Sequence, residues 1–184
     1  MMYSRSRVLT IIVTTLMFGV AGYSQSVVSP KDIPNFFRVH DTLARGAQPK
    51  DAGFAELKRL GFKTVIDLRD NDANALKEEQ IAEAAGLRFI NLPLGNWNRP
   101  ATKDIDAILA EINNPDNQPV FVHCRRGSDR TGTVIAIERM THDGWDAEAA
   151  AKEAEKFGIG WWQLGMRDFI NDYYRDLTQK GMGH

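Results

Sequence analysis

The run His123-Cys124-Arg125-Arg126-Gly127-Ser128-Asp129-Arg130-Thr131-Gly132 contains the only cysteine of the 184-residue chain. An apolar, β-branched stretch leads into Cys124, a helical pattern starts at Thr131, and five residues separate Cys124 from Arg130. A loop of that length can curl its successive N–H groups inward as a nest for a tetrahedral dianion, and the following helix N-terminus adds partial positive charge. Gly127 allows the backbone torsions of such a curl. Arg130 can hold two phosphoryl oxygens in its planar fork. Arg125, Arg126, Gly127, Ser128, Asp129 and Arg130 are therefore the candidate phosphate-binding residues. The same positive surroundings favour thiolate over thiol at Cys124 and so make it a nucleophile. Thr131 can offer its hydroxyl to the sulfur when sulfur becomes the leaving group. His123 is expected to orient the loop by hydrogen bonding, because a preformed thiolate needs no base. A lone cysteine is usually a packing residue, but the surrounding string favours catalysis. No metal is expected at this site: there is no second cysteine, and His40, His142 and His184 show no ligand spacing to Cys124.

Phosphate-ester cleavage also needs a proton for the leaving oxygen. Asp129 is the first candidate, since a bound dianion beside it opposes its ionisation. Its alternative role is to cap the following helix or pair with an arginine. Asp67, at the end of a strand, is another candidate, although it can as easily hold Arg45 or Arg130. Asp104 and Asp106 fit better as favourable charges in a first helical turn.

His123 to Gly132 resembles the active-site signature of the cysteine-based protein tyrosine phosphatase superfamily. The similarity extends through Phe36-Phe37-Arg38, Arg45-Gly46-Ala47-Gln48-Pro49, Phe54 to Gly61 and Thr64-Val65-Ile66-Asp67-Leu68-Arg69. These segments look like the atypical dual-specificity phosphatases of plants and fungi and their bacterial relatives, over about residues 36 to 142. The resemblance implies a compact phosphatase fold, a phosphocysteine intermediate on Cys124, phosphate binding by residues 125 to 130 and no cofactor. It also implies phosphomonoesters as substrates, either a phosphorylated protein or an inositol phosphate or phosphoinositide. Members usually place the acid Asp on a loop ahead of the cysteine, but Leu92 to Ala101 contains no carboxylate. Some similar bacterial members carry Asp directly before the signature arginine, where an acid role has been inferred. The missing loop acid leaves a rival reading, a phosphate-binding module without turnover.

Arg125 and Arg126, with Arg99 and Lys103 at the rim, suit substrates bearing more than one negative group. Asn96 and Trp97 can flank an aromatic leaving group. Trp161, Trp162, Leu164, Met166, Phe169, Ile170 and Tyr173 are expected to form the packing seam of a C-terminal helix.

Positioning these residues requires an α/β domain. Phe36 to Val39, Thr64 to Leu68, Leu87 to Leu92 and Pro119 to His123 read as strands. Helices are expected after Pro49, over Asn71 to Ala85 with Leu76 and Ile81 inward, and over Lys103 to Ile112 capped by Thr102. Further helices run from Thr131 to Met140, from Asp146 to Phe157 and from Trp162 to Leu177. The alternation predicts an α/β domain with a central, mainly parallel sheet flanked by helices, and the resemblance implies that it is one compact dual-specificity-phosphatase-like domain over residues 30–180.

Arg5 and Arg7 precede the uncharged run Val8 to Ala21, the layout of an export signal over residues 1–24 with cleavage near 21–26. The expected location is periplasmic or secreted, with an N-terminal membrane anchor as the alternative and no stable membrane insertion after cleavage. Cleavage leaves 21 basic against 24 acidic residues, where a dedicated nucleic-acid binder needs a basic excess. A monomer is expected, and a single cysteine excludes an intrachain disulfide framework.

Overall fold

The computed structural model describes residues 30–96 and 98–181. The expected export segment and Trp97 lie outside the described residues.

The elements run β1 (Phe37–His40), β2 (Leu43–Ala47), α1 (Asp51–Arg59), β3 (Thr64–Asp67), α2 (Ala73–Ala84), β4 (Arg88–Asn91), α3 (Thr102–Asn113), β5 (Val120–Cys124), α4 (Asp129–Thr141), α5 (Ala147–Lys156) and α6 (Leu164–Gln179). They form a five-stranded sheet of order β1-β2-β5-β3-β4. Only β1 is antiparallel to its neighbour. β5 is the middle strand and is buried along its whole length, as an apolar strand covered on both faces must be. Its side chains alternate between two cores. Val120, Val122 and Cys124 face the core shared with α3, α4, α5 and α6, while Phe121 packs with Phe54, Leu57, Phe62 and Val65 on the other face. Register places Ala47 beside Cys124 and Asp67 beside His123. The chemistry-bearing strand end is thus bracketed by the carboxyl ends of β2 and β3.

α4 is buried on all sides, from Asp129 to Met140, which fixes the helix whose N-terminus faces the loop. α3 buries the anticipated stripe Ile105, Ile108, Leu109 and Ile112. Asp146 caps α5 by accepting the Ala149 N–H at 2.8 Å.

Three local expectations change. α2 turns Ala75, Glu78 and Ala82 inward, and Ala82 joins an apolar core against which Ile81 and Ala85 pack as expected; Leu76 instead is 54% exposed, and Glu78 takes an inner position beside Arg69. Thr102 is the first residue of α3 and does not cap it; the N-cap is Ala101, with no side-chain bond. The α6 seam holds for Met166, Phe169 and Ile170, but Trp161, Trp162 and Leu164 precede or begin the helix and stay exposed at 79%, 46% and 65%. Among the described residues no helix is long and apolar enough to cross a membrane.

Candidate active site

β5 ends at Cys124, which is 3% exposed, and α4 begins at Asp129. Between them the loop carbonyls are tied to the scaffold. Gln48 N–H donates to Arg125 O at 3.4 Å. Asn35 Nδ2 donates to Arg126 O at 3.2 Å and Gly127 O at 3.3 Å. Arg45 donates to Gly127 O at 2.5 Å. Carbonyls held on the scaffold side are what a backbone nest for an anion requires. Gly127 has φ +68°, and a Cβ there would lie 2.3 Å from Gly46 O, so only glycine fits between loop and β2.

Arg130 is 6% exposed and fixed by Nη1 donating to Leu68 O at 3.2 Å and Leu94 O at 3.5 Å, while its Nε has no protein partner. Thr131 is fully buried and its Oγ1 is also unpartnered. Ser128 is the N-cap of α4 without a side-chain cap bond, so it contributes backbone rather than hydroxyl to the helix start. Cys124, Arg125, Arg126, Asp129 and Arg130 line one cavity of about 540 Å³, with Asn96 and Trp162 as its remaining walls. A second cavity of about 750 Å³ adjoins it, sharing Asn96, Arg125 and Arg130 and adding Gln48, Arg69, Asn74 and the carboxylates Asp70 and Asp72.

Asp129 is 4% exposed. Its Oδ1 accepts the Gly160 N–H at 2.8 Å, and its other oxygen pairs with Arg126. It therefore lines the reaction cavity and also ties the phosphate loop to the segment carrying Trp162. The Arg126 guanidinium in turn lies 5.9 Å from the Trp162 ring centroid.

Behind the loop, Arg69 bridges Asp67 at 2.8 Å and Glu78. Asp67 thus holds Arg69, not Arg45 or Arg130. Burial, reinforced by Asp67's like charge, pushes the Glu78 carboxyl up to about 8 against the pull of Arg69. His123 is fully buried and its ring nitrogens make no hydrogen bond: they lie 3.8 Å from Asp67 and Glu78. Burial pushes its imidazole down to about 4, so it is neutral and packs on Phe121 rather than orienting the loop by hydrogen bonding. Arg45, beneath the loop, is fully buried and stacks 4.2 Å from the Phe157 centroid; burial pushes its guanidinium down to about 10.

The remaining candidates lie elsewhere. Asp106 accepts from Tyr173 OH at 3.3 Å and borders a different cavity, and Asp104 is exposed in the first turn of α3. Arg99 is taken by Asp172 at 2.7 Å, so it does not line the loop cavity. Sequence reasoning missed Asn35, the Arg45–Gly127 bond and Trp162 as a cavity wall. All three depend on approaches between segments far apart in the chain; Arg45 and Trp162 stood in recognisable local strings, but neither string shows what it meets.

A parallel-sheet strand that delivers a cysteine into an anion nest at a helix N-terminus, with a fixed arginine closing it, defines a cysteine-based phosphatase fold. The chain belongs to the family described as DSP-PTPase phosphatase fused to NAD+ kinase, which matches residues 28–164. It is 32% identical over 128 residues to the dual specificity protein phosphatase TpbA of Pseudomonas aeruginosa, covering 68% of this chain and 56% of that protein, so it spans little over half of that relative's length. The crystal structure of TpbA in complex with pTyr superposes with a TM-score of 0.68 at 26% identity, covering 80% of this chain and 90% of that one. The catalytic core of the PP-IP phosphatase Siw14 of Saccharomyces cerevisiae shares the fold, with a TM-score of 0.66 at 21% identity over 82% of this chain and 96% of that one.

Proposed function

We propose that the protein is a phosphatase that hydrolyses phosphate monoesters, phosphotyrosine first among them, through a phosphocysteine intermediate. The observation that carries this reading is one cavity bringing Cys124, Arg130 and Asp129 together beside an aromatic wall, Trp162. The Cys124 thiolate attacks phosphorus as the P–O bond breaks. Arg130 and the loop amides neutralise the phosphoryl oxygens, and Asp129 passes its proton to the departing alcohol or phenol. Water then attacks the phosphocysteine, Asp129 accepts a proton from it, and inorganic phosphate leaves as the thiolate is regenerated. Thr131 offers its hydroxyl to the sulfur in this second step. The half-exposed Arg126 side chain can leave Asp129 when substrate enters, which keeps the acid role compatible with the observed ion pair.

The adjoining cavity supports a second substrate class, inositol polyphosphates. Arg125 stands between the two cavities and makes no ion pair among the described residues, so it can meet a further phosphate. Comparing turnover of a phosphotyrosyl peptide, a phosphoseryl peptide, a phosphoinositide and an inositol pyrophosphate by wild type and Cys124→Ser decides among them. Binding of any of these without wild-type turnover would establish the silent phosphate-binding module instead. The basic and apolar start of the chain supports export to the periplasm or medium, tested by cell fractionation with N-terminal sequencing of the mature protein.

A further inference from the structure

Large apolar side chains left in water are few among the described residues: Leu76, Trp161, Trp162 and Leu164. All but Leu76 fall in the short stretch from Trp161 to Leu164, where α6 begins. That stretch is tied down. Asp129 Oδ1 accepts the Gly160 N–H at 2.8 Å, Gln163 N–H donates to Gly160 O at 3.1 Å, and the buried Gln163 side chain donates to Asn96 O at 3.0 Å. A Cβ on Gly160 would lie 2.5 Å from the Trp162 ring, so glycine there lets the ring fold back over the backbone. The two indoles meet edge to face with centroids 5.8 Å apart. Trp162 is a wall of the Cys124 cavity, and Trp161, the more exposed of the pair, stands beside it. An exposed apolar patch held on fixed backbone at the mouth of a site marks a contact surface.

We propose that the Trp161–Trp162 pair, extended by Leu164, docks an apolar side chain that flanks the phosphotyrosine of an extended substrate segment. The inference rests on the phosphatase reading for one thing, a phosphotyrosine seated in the Cys124 cavity against Trp162. An extended segment advances about 3.3 Å per residue, so a ring 5.8 Å from Trp162 is within reach of the residue one or two places away. The indole planes stand at 84°, and an aliphatic side chain lying in the angle between them touches both. Charge divides the surface in the same way. Arg125 and Arg126 line the cavity, where the phosphate belongs, and the Arg126 guanidinium lies 5.9 Å from the Trp162 centroid. On the far side, Asp168 sits one turn along from Leu164 on the same face of α6, exposed and without an ion pair among the described residues. An anionic bilayer seated on the patch would meet that carboxylate, whereas a single extended segment passes beside it. The patch therefore suits a peptide side chain rather than a membrane.

The test uses the full chain carrying Cys124→Ser, which removes the nucleophile and leaves the cavity to bind. Titration calorimetry compares two phosphotyrosyl peptides, one with leucine and one with serine at the two positions on each side of the phosphotyrosine. The leucine peptide is expected to bind about fourfold to tenfold more tightly, the worth of half-burying one leucine side chain. Trp161→Ala in the same background should bind the two peptides alike, and because the ring is 79% exposed its loss leaves the core intact. Equal affinities in the parent, a leucine preference that survives Trp161→Ala, or no binding of either peptide would each overturn the surface. Trp161-dependent cosedimentation with vesicles of phosphatidylglycerol and phosphatidylcholine, alongside equal peptide affinities, would overturn it in favour of a membrane contact. Turnover of p-nitrophenyl phosphate by the wild-type chain is scored separately: its absence refutes the phosphatase reading, while the leucine preference is read from binding alone.

Discussion

Asp129→Asn separates a proton donor from a structural tie at one position. In the native protein Oδ1 accepts the Gly160 N–H at 2.8 Å and the second oxygen pairs with Arg126, whose side chain is 55% exposed. Asparagine keeps the oxygen facing Gly160 and loses the charge. The lost ion pair is half solvated and contributes about 1 kcal/mol or less, and the lost acid in the first turn of α4 adds about 0.3–1 kcal/mol. The fold therefore survives, and urea denaturation should report a loss of about 1–2 kcal/mol. The chemical effect is larger. Removing a general acid slows the step by about 10²–10⁴, equivalent to about 3–5 kcal/mol of barrier, when the leaving group is a poor one such as an alkyl alcohol. With p-nitrophenolate, which departs without a proton, the loss should be small. Arg126→Met, which removes the pair but not the acid, should stay within about tenfold of wild type on the alkyl phosphate. Equal losses on good and poor leaving groups would refute the acid role and leave Asp129 as a tie between loop and Gly160.

Trp162→Ala should reduce kcat/KM on phosphotyrosyl substrates by a few-fold to tenfold, the worth of one aromatic contact of about 0.5–1.5 kcal/mol, with alkyl phosphates unaffected; parallel losses on both would remove Trp162 as a substrate wall. Gly127→Ala forces a Cβ into Gly46 O on the central sheet at φ +68°, so a stability loss of about 1–3 kcal/mol and weakened binding of inorganic phosphate are expected in denaturation and competition assays. His123 has its imidazole pushed from 6.5 down to about 4 by burial. The unfolded chain takes up this proton near pH 6.5 but the folded one only near pH 4, so stability should fall as pH drops through that window, by up to about 3 kcal/mol. Urea midpoints at pH 7 and 4.5 should therefore differ more in wild type than in His123→Asn.

The chemistry of the phosphate loop could be read locally because its parts are contiguous. Strand, cysteine, glycine, arginine and helix follow one another in ten residues, and each acts through its own backbone or its immediate neighbours. The sheet strands and the α3 stripe were legible for a similar reason, since hydrophobic periodicity encodes which side of an element is buried. The misreadings share the opposite cause. Leu76 matched an apolar stripe, yet α2 faces Arg69 and Asp67 and so buries Glu78 instead. Trp161 and Trp162 matched helical spacing, but α6 starts after them at Leu164, leaving Trp161 exposed and Trp162 as a wall of the loop cavity.

The amino-acid order alone determined that Cys124 and Arg130 bracket an anion nest on a parallel α/β scaffold, and that no carboxylate precedes it in the usual place. Tertiary structure alone decided what surrounds that nest. Arg45 rises from β2 to hold Gly127, Asn35 crosses to the loop carbonyls, Asp129 reaches Gly160, and Trp162 becomes a wall of the cavity. The physical reason is range. Backbone torsion, helix dipoles and side-chain periodicity act within a few residues, whereas these hydrogen bonds join segments separated by 31 to 92 positions and exist only once the sheet has set their register.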